Sequence, residues 1–316
     1  MVDILFGFCA NQHHPLNGTS PVMNTLAQLL QSYVELKGWN DLEGIRETEI
    51  DGVWLYRSSG GNQRQPFTYQ SGIIMLGQGK KNIYIGDRPV TYAAGDYLVV
   101  GVPMPLECEA LPVDGEPLLG LSINIDSQRL HSLVKKLEEQ GFLESYCNKH
   151  KQNSSGLEST RMETAMLESF TRLAKTLHCD IEANILGDAM VTEIVYRALT
   201  GSEGRVLFDL AHHDGHYARV AKALSKVHEE YDQTITVQSL ADEANMSVSA
   251  FHNAFRNVTF ESPLQYLKKV RLNKAKELIQ LEGLRISDAA RRVGYSSPSQ
   301  FSREFKRHFN TTPRAV

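Results

Sequence analysis

The sequence predicts an α+β protein: a small antiparallel barrel or double sheet with flanking helices, then an all-α domain of two helix-turn-helix units. Three observations predict it. Between Val53 and Ile125, short runs rich in β-branched and aromatic residues (VWLYR, GIIML, NIYIG, DYLVV, LLGLSINI) alternate with turns such as Gly77-Gln78-Gly79 and Gly95-Asp96. That is the rhythm of antiparallel strands, not of βαβ units. After Ile125 a helical period returns, and a segment that starts at Ser239 is repeated from Ile286.

Composition bounds the reading. The 316 residues are enough for two domains, each with its own core. No apolar run approaches the ~20 residues of a membrane helix, so no membrane partner is expected. The opening MVDILFGFCA carries Asp3 and no Lys or Arg, so it lacks the positive region of a signal peptide. Residues 1–21 read as an N-terminal extension. Cys9, Cys108, Cys147 and Cys179 are widely spaced, without a C-x-x-C pair. This argues against a zinc ribbon or disulfide framework and fits a reduced, cytoplasmic chain whose cysteines act as small core residues. The net charge of −4 hides an asymmetry: residues 217–316 carry +6 and the remainder −10. A basic final third suits docking on phosphate.

Residues 22–37 form an amphipathic helix through Leu26, Leu29, Leu30 and Val34. The strand-rich region follows. Leu130, Leu133, Val134 and Leu137 mark the next apolar stripe, and further helices are expected over 159–178, 182–200 and 205–212. Lys149–Gly156 reads as a linker, and HHDGH at 212–216 as a second boundary. The expected domains are therefore 22–212 and 217–316, with the helix-turn-helix units at about 239–258 and 286–309.

In the repeated units Phe251 and Phe255 correspond to Phe301 and Phe305, at a constant offset of 50. The i, i+4 spacing puts each pair on one helix face, pointed at its own small core. Gly294 and Asn245 suit a left-handed helix exit. Ser247 and Ser297 are placed to cap the helices that follow, with Pro298 in the favoured first position. Between the units, Ser262-Pro263-Leu264-Gln265 reads as a capping box opening a spacer helix to about Leu281. Eighteen or so residues at ~1.5 Å each make a strut of about 27 Å. Two reading helices on such a strut could enter successive major grooves, which recur every ~34 Å.

The segments LADEANMSVSAFHNAFRNVT, SPLQYLKKVRLNKAKELI and AARRVGYSSPSQFSREFKRHFNTTP resemble the DNA-binding domain of the AraC/XylS family over about residues 220–313. Two positions depart from the family, which has Gly where this chain has Phe260 and Asn310. Phe260 would cost ~1 kcal/mol at positive φ. The resemblance implies a transcription regulator that is not an enzyme, with double-stranded DNA and RNA polymerase as partners. It places base-facing residues on the outer side of each second helix: Ser249, His252 and Asn253 with Arg256 nearer phosphate, then Ser299, Gln300 and Arg303 with Lys306 beside them. The chemistry agrees, since Arg donates twice to guanine and Asn or Gln pairs bidentately with adenine. Each could also be a solvated helix face.

The stretch PFTYQSGIIMLGQGKKNIYIGDRPVTYAAGDYLVVGVPMPLECEA resembles the N-terminal domain of one AraC-type subfamily, through its QGKK turn and Y-x-x-G-D-Y-L-V-V. This implies a cupin-like barrel followed by helices that pair two subunits, hence a homodimer. Metal cupins use clustered His with Glu. No His lies between His14 and His131, so neither a metal nor another cofactor is expected, and a cupin-type enzyme is a remote alternative. The composition of His212, His213, Asp214 and His216 could touch a metal but reads better as a polar loop. The barrel then reads as a pocket for a small-molecule effector, or as a purely dimerising scaffold beneath a constitutive DNA binder. Tyr56, Met75, Tyr84, Tyr92, Tyr97 and Met104 are candidate lining residues, and Cys108 the candidate electrophile sensor.

Overall fold

The structure is a computed structural model that describes residues 21–85, 88–142, 157–202, 204–212 and 215–316. Cys9, Cys147, His213, Asp214 and the expected linker 149–156 lie outside the described residues. Helix α1 (Pro21–Leu36) leads into strands β1 (Gly44–Glu47), β2 (Val53–Ser58), β3 (Asn62–Tyr69), β4 (Gly72–Gln78) and β5 (Lys80–Ile85). Strands β6 (Arg88–Ala93), β7 (Asp96–Val100), β8 (Met104–Leu111) and β9 (Leu118–Asn124) follow. Next come α2 (Ser127–Glu139), β10 (Leu157–Arg161), α3 (Thr164–Thr176), α4 (Asp180–Thr200) and α5 (Arg205–Ala211).

The strands form two antiparallel sheets, ordered β1-β2-β9-β4-β7-β10 and β3-β8-β5-β6. The expected barrel is therefore a double sheet: among the described residues no ladder closes it into one cylinder. The reason lies in the turn between β6 and β7. Ala94 N–H donates to the Gly79 carbonyl and Gly95 N–H to that of Leu76, which carries the chain from one sheet to the other. The helical expectation over 159–178 also needs correction at its start. Residues 157–161 pair antiparallel with β7, Leu157 opposite Val100, and the helix begins at Thr164. Pairing with an open sheet edge outweighs local helical preference there.

Strand alternation sorts the side chains. Val53 and Leu55 of β2 are fully buried on one face, while Trp54 and Tyr56 point to the other. Helix α1 covers one face of the larger sheet with Leu26, Leu30, Tyr33 and Val34. It lies so close that a Cβ on Gly77 would meet Leu30 Cδ1 at 2.7 Å. Helices α3 and α4 are pinned together by Glu193, which accepts from Arg172 and Arg197. Burial raises that carboxyl, but these donors and Ser169 outweigh it and hold it down at about 2.

The C-terminal part comprises α6 (His216–Glu229), α7 (Val237–Glu243), α8 (Val248–Thr259), α9 (Pro263–Gln280), α10 (Ile286–Arg292) and α11 (Pro298–Phe309). Ser247 Oγ accepts from Ala250 N–H and Ser297 Oγ from Gln300 N–H, both at 3.3 Å. Asn245 and Gly294 take left-handed backbone, φ 50° and 86°. Phe260 does so too, at φ 64°, so this bulky residue bears the strain its departure from glycine implies. The expected capping box at Ser262 does not form: Ser262 is the N-cap, but its side chain makes no cap hydrogen bond. A capping box forms instead at Thr236 and Ser239.

The two units do not stand alike. Phe301 and Phe305 belong to a small separate core with Leu272, Ala275, Leu278, Ala289, Ala290, Val293 and Tyr295. Phe251 and Phe255 do not have a core of their own. Their cluster runs on through α6 and α9 into the sheet domain. Phe301→Ala should therefore cost about 3–5 kcal/mol and act locally. Hydrogen exchange should show residues 286–309 losing protection while Val248–Thr259 keeps it; loss of protection in both would contradict the separation of the cores.

Candidate DNA-reading face and ligand cavity

On α8 the rings of Phe251 and Phe255 are fully buried with centroids 5.4 Å apart, and Phe255 meets Tyr266 edge-on at 5.5 Å. Helix α11 repeats this with Phe301 and Phe305 at 5.5 Å, and Tyr295 edge-on to Phe301. With the aromatic faces turned inward, the opposite faces carry the expected readers. Ser249, Asn253 and Arg256 are exposed and His252 half-buried; Ser299, Gln300, Arg303 and Lys306 are exposed.

Their surroundings differ. Gln300 Nε2 donates to Glu304 at 3.3 Å, and Glu304 also accepts from Tyr295 at 2.8 Å. Burial alone would raise the Glu304 carboxyl, but these bonds and Lys268 hold it below the usual range. Arg303 and Lys306 form no ion pair among the described residues and are free to meet an anion. Asn253 instead lines a cleft of about 530 Å³ between α8 and α5–α6, with Arg205, Asp209, His216 and Asn257. The outer face of α11 is thus open, while that of α8 is shared with the sheet domain's last helix.

A second cavity, of about 500 Å³, lies between the two sheets. Of the expected lining residues, Tyr56, Met75 and Tyr92 border it; Tyr84, Tyr97, Met104 and Cys108 do not. Tyr84 is on the outer face, where it donates to Glu109 at 3.1 Å beneath the Arg64 guanidinium. Tyr97 packs toward Gly201, and Met104 is fully buried opposite Tyr69. Cys108 is buried, and burial pushes its thiol up. It stays protonated near neutral pH, the less reactive form, which counts against it as the electrophile sensor.

Trp54, Phe67, Tyr69 and Lys81 complete the wall and were not among the expected residues. Lys81 is the unusual one. It sits on the inner face of β5 in alternation with Ile83, directly opposite Tyr92 across the ladder. That alternation was the signal available in the QGKK segment. Its side chain is 4% exposed. The ammonium lies 3.5 Å from the centroid of the Tyr56 ring and 5.2 Å from that of Phe67. Among the described residues no carboxylate pairs with it, and burial pulls it down to about 8.

The cavity wall is joined to the spacer helix. Tyr266 of α9 is fully buried, and its hydroxyl donates to the Pro103 carbonyl at 2.5 Å. Since that uses the only hydroxyl proton, the His228 ring nitrogen 2.8 Å away must be the donor to the phenol oxygen. Burial lowers His228, which keeps it neutral. One turn pair further on, Asn273 Nδ2 donates to Thr68 Oγ1 at 2.8 Å. Pro103 and Thr68 both line the cavity.

The profile of the AraC-type transcriptional regulator N-terminus matches residues 49–206, and that of a helix-turn-helix domain matches 240–316. The chain belongs to the AraC-type transcriptional regulators. Within this family it is 39% identical over 98 residues to the HTH-type transcriptional regulator AlkR of Acinetobacter baylyi, covering 31% of this chain and 32% of AlkR. It is 26% identical over 153 residues to the lactose operon transcription activator of Staphylococcus xylosus, covering 46% and 53%. The chain thus spans about a third to a half of the length of these curated relatives. The fold is shared with ToxT of Vibrio cholerae O395, solved bound to (E)-4-(8-methylnaphthalen-1-yl)but-3-enoic acid: TM-score 0.51, 12% identity, 83% of this chain and 96% of ToxT covered.

The Lys81 environment fixes a sign for pH dependence. Its folded value of about 8 lies below the ordinary 10.5, so the charged form opposes folding. The penalty is full below about pH 8 and fades as the pH rises toward 10.5. Lys81→Met should therefore be more stable than the parent near pH 7 by about 1–3 kcal/mol, with the gain shrinking across that window. Urea unfolding at a series of pH values checks it; a difference independent of pH would mean that the ammonium is not desolvated.

Proposed function

We propose that this AraC-type regulator is a sequence-specific DNA-binding protein whose reading helices are controlled by a small organic effector in the cavity between its sheets. The observation that carries this reading is the pair of bonds from the spacer helix to the cavity wall. Tyr266 and Asn273 hold Pro103 and Thr68, so a ligand that displaces either wall residue acts directly on the helix joining the two DNA-reading units. Effector control is then a population shift between a docked and a released DNA module. ToxT, a protein of the same fold, was solved bound to an organic acid, which supports a ligand role for a chain of this architecture.

In this reading Arg303 and Lys306, Gln300 and Ser299 on α11, and Ser249, His252, Asn253 and Arg256 on α8, face DNA. Tyr56, Met75 and Tyr92 border the effector. The further partners we propose, on the family's pattern, are RNA polymerase and a second copy of the chain; light scattering on the purified protein checks the second. The proposed compartment is the cytoplasm.

Two measurements test the reading, using an operator selected by the purified protein from a random DNA pool. Arg303→Ala should weaken specific binding by about 1–3 kcal/mol and relax one base position; a gel-shift series with unchanged affinity and specificity would remove Arg303 from the contact set. Tyr266→Phe deletes the bond to Pro103 and should change operator affinity about fivefold or more, the scale of ordinary coupling between sites. Unaltered affinity would separate the cavity from DNA reading and leave a constitutive binder.

A further inference from the structure

The cavity between the sheets holds three polar groups that the described residues leave without full hydrogen bonding. The Lys81 ammonium has three N–H donors, and among the described residues it meets only aromatic faces. The hydroxyls of Tyr69 and Tyr92 are buried beside each other and the Cys108 thiol, but among the described residues neither makes a hydrogen bond of full geometry. Tyr69 is 2% exposed and Tyr92 fully buried, and both line the same cavity as Lys81. Under-paired polar groups in a protein interior cost free energy, so their convergence on one space suits a ligand that accepts hydrogen bonds.

The register explains why they converge. Lys81 and Tyr92 are cross-strand partners on β5 and β6. Tyr69 ends β3, on the other side of β8 within the same four-stranded sheet. From the facing sheet, Tyr56 of β2 lays its ring against the ammonium. The titratable groups that face Lys81 are thus Tyr56, Tyr69 and Tyr92, with Cys108 of β8 behind them. Burial pushes the hydroxyls of Tyr69 and Tyr92 well above the ordinary phenol range, so both remain protonated donors.

All three groups can donate, and a carboxylate only accepts, through two oxygens with room for about four hydrogen bonds. The space around them is bounded by Trp54, Phe67, Ile74 and Leu121, which offer no charge and much apolar surface. Its volume of about 500 Å³ is within the ~300–1,000 Å³ range of small-molecule sites. We propose that the effector is an amphipathic organic monoanion whose carboxylate is taken by Lys81, Tyr69 and Tyr92 while its apolar body fills the aromatic end of the cavity. This rests on the reading of the cavity as an effector site and adds to it the class of ligand and the residues that select it. Ionic pairing inside the cavity also removes the penalty of the buried charge, so the ligand stabilises the state that binds it.

The test is isothermal titration calorimetry on the full chain, with 4-phenylbutyrate and decanoate, each against its primary alcohol. The acids should bind at one per chain and at least tenfold more tightly than the alcohols. Lys81→Met should lower that acid-to-alcohol ratio at least tenfold while alcohol binding persists, and Tyr69→Phe should lower it severalfold. Because free Lys81 titrates at about 8, acid affinity should fall about tenfold between pH 7 and 9, and that slope should vanish in Lys81→Met. If Lys81→Met does not fold, the Tyr69→Phe, Tyr92→Phe double variant carries the same comparison. Alcohols that bind as tightly as acids, or acids indifferent to Lys81→Met, would overturn the anion assignment and leave the effector reading standing. Failure of all four probes to bind would count against both.

Discussion

A single buried phenol organises the relation between the two halves of the protein. Tyr266 is fully buried on the spacer helix, where its ring closes the aromatic stack of the first reading unit against Phe255. Its one proton goes to the Pro103 carbonyl of the sheet domain, and its oxygen is left to accept from His228. A side chain so placed cannot adjust by small amounts. Moving the phenol away leaves a carbonyl and an imidazole unpaired in the interior, which costs about 1–3 kcal/mol for each such group. The surroundings therefore favour two states, bonded or parted, over a continuum. Asn273, anchored to Thr68 and 3.3 Å from His308 of α11, extends the same all-or-none contact toward the second unit.

The cavity works against that background. An ammonium buried among aromatic rings is held at a cost, and a base value near 8 is the trace of it. Cation–π contact recovers part of the lost hydration, but it gives the N–H groups no directional partner. Proteins keep such groups where something else meets them, and here the wall that surrounds Lys81 is the wall that the spacer helix holds.

Much of this was legible in the chain, for identifiable reasons. Repetition made the C-terminal units plain: the Phe pairs, Ser247, Ser297, Asn245 and Gly294 act through contacts a few residues away, which sequence spacing encodes directly. The strain at Phe260 could be foreseen because the family that the chain resembles has Gly there, a residue at ease in left-handed backbone. What spacing does not encode is partnership across the fold. Leu157–Arg161 became a strand because an edge of β7 was open to it, and no local pattern announces an edge. Of seven cavity candidates, three border it, since period-2 alternation says which residues share a face but not which face is inward. Lys81 was hidden for another reason. Charge argues for solvent, and only its alternation with Ile83 argued otherwise.

The division of the apolar interior has a consequence for how such a protein can be taken apart. Linker composition would place the seam between the halves at residues 212–216. The packing places it about sixty residues later, within the spacer helix. Tyr266, Leu267 and Val270 belong to the large core, and Leu272, Ala275 and Leu278 to the small one. The first reading unit is in this sense built into the sensor, and only the second is a detachable part. Exchange of whole modules between relatives at the visible linker would cut through a shared interior, so this pair of halves is bound to change together.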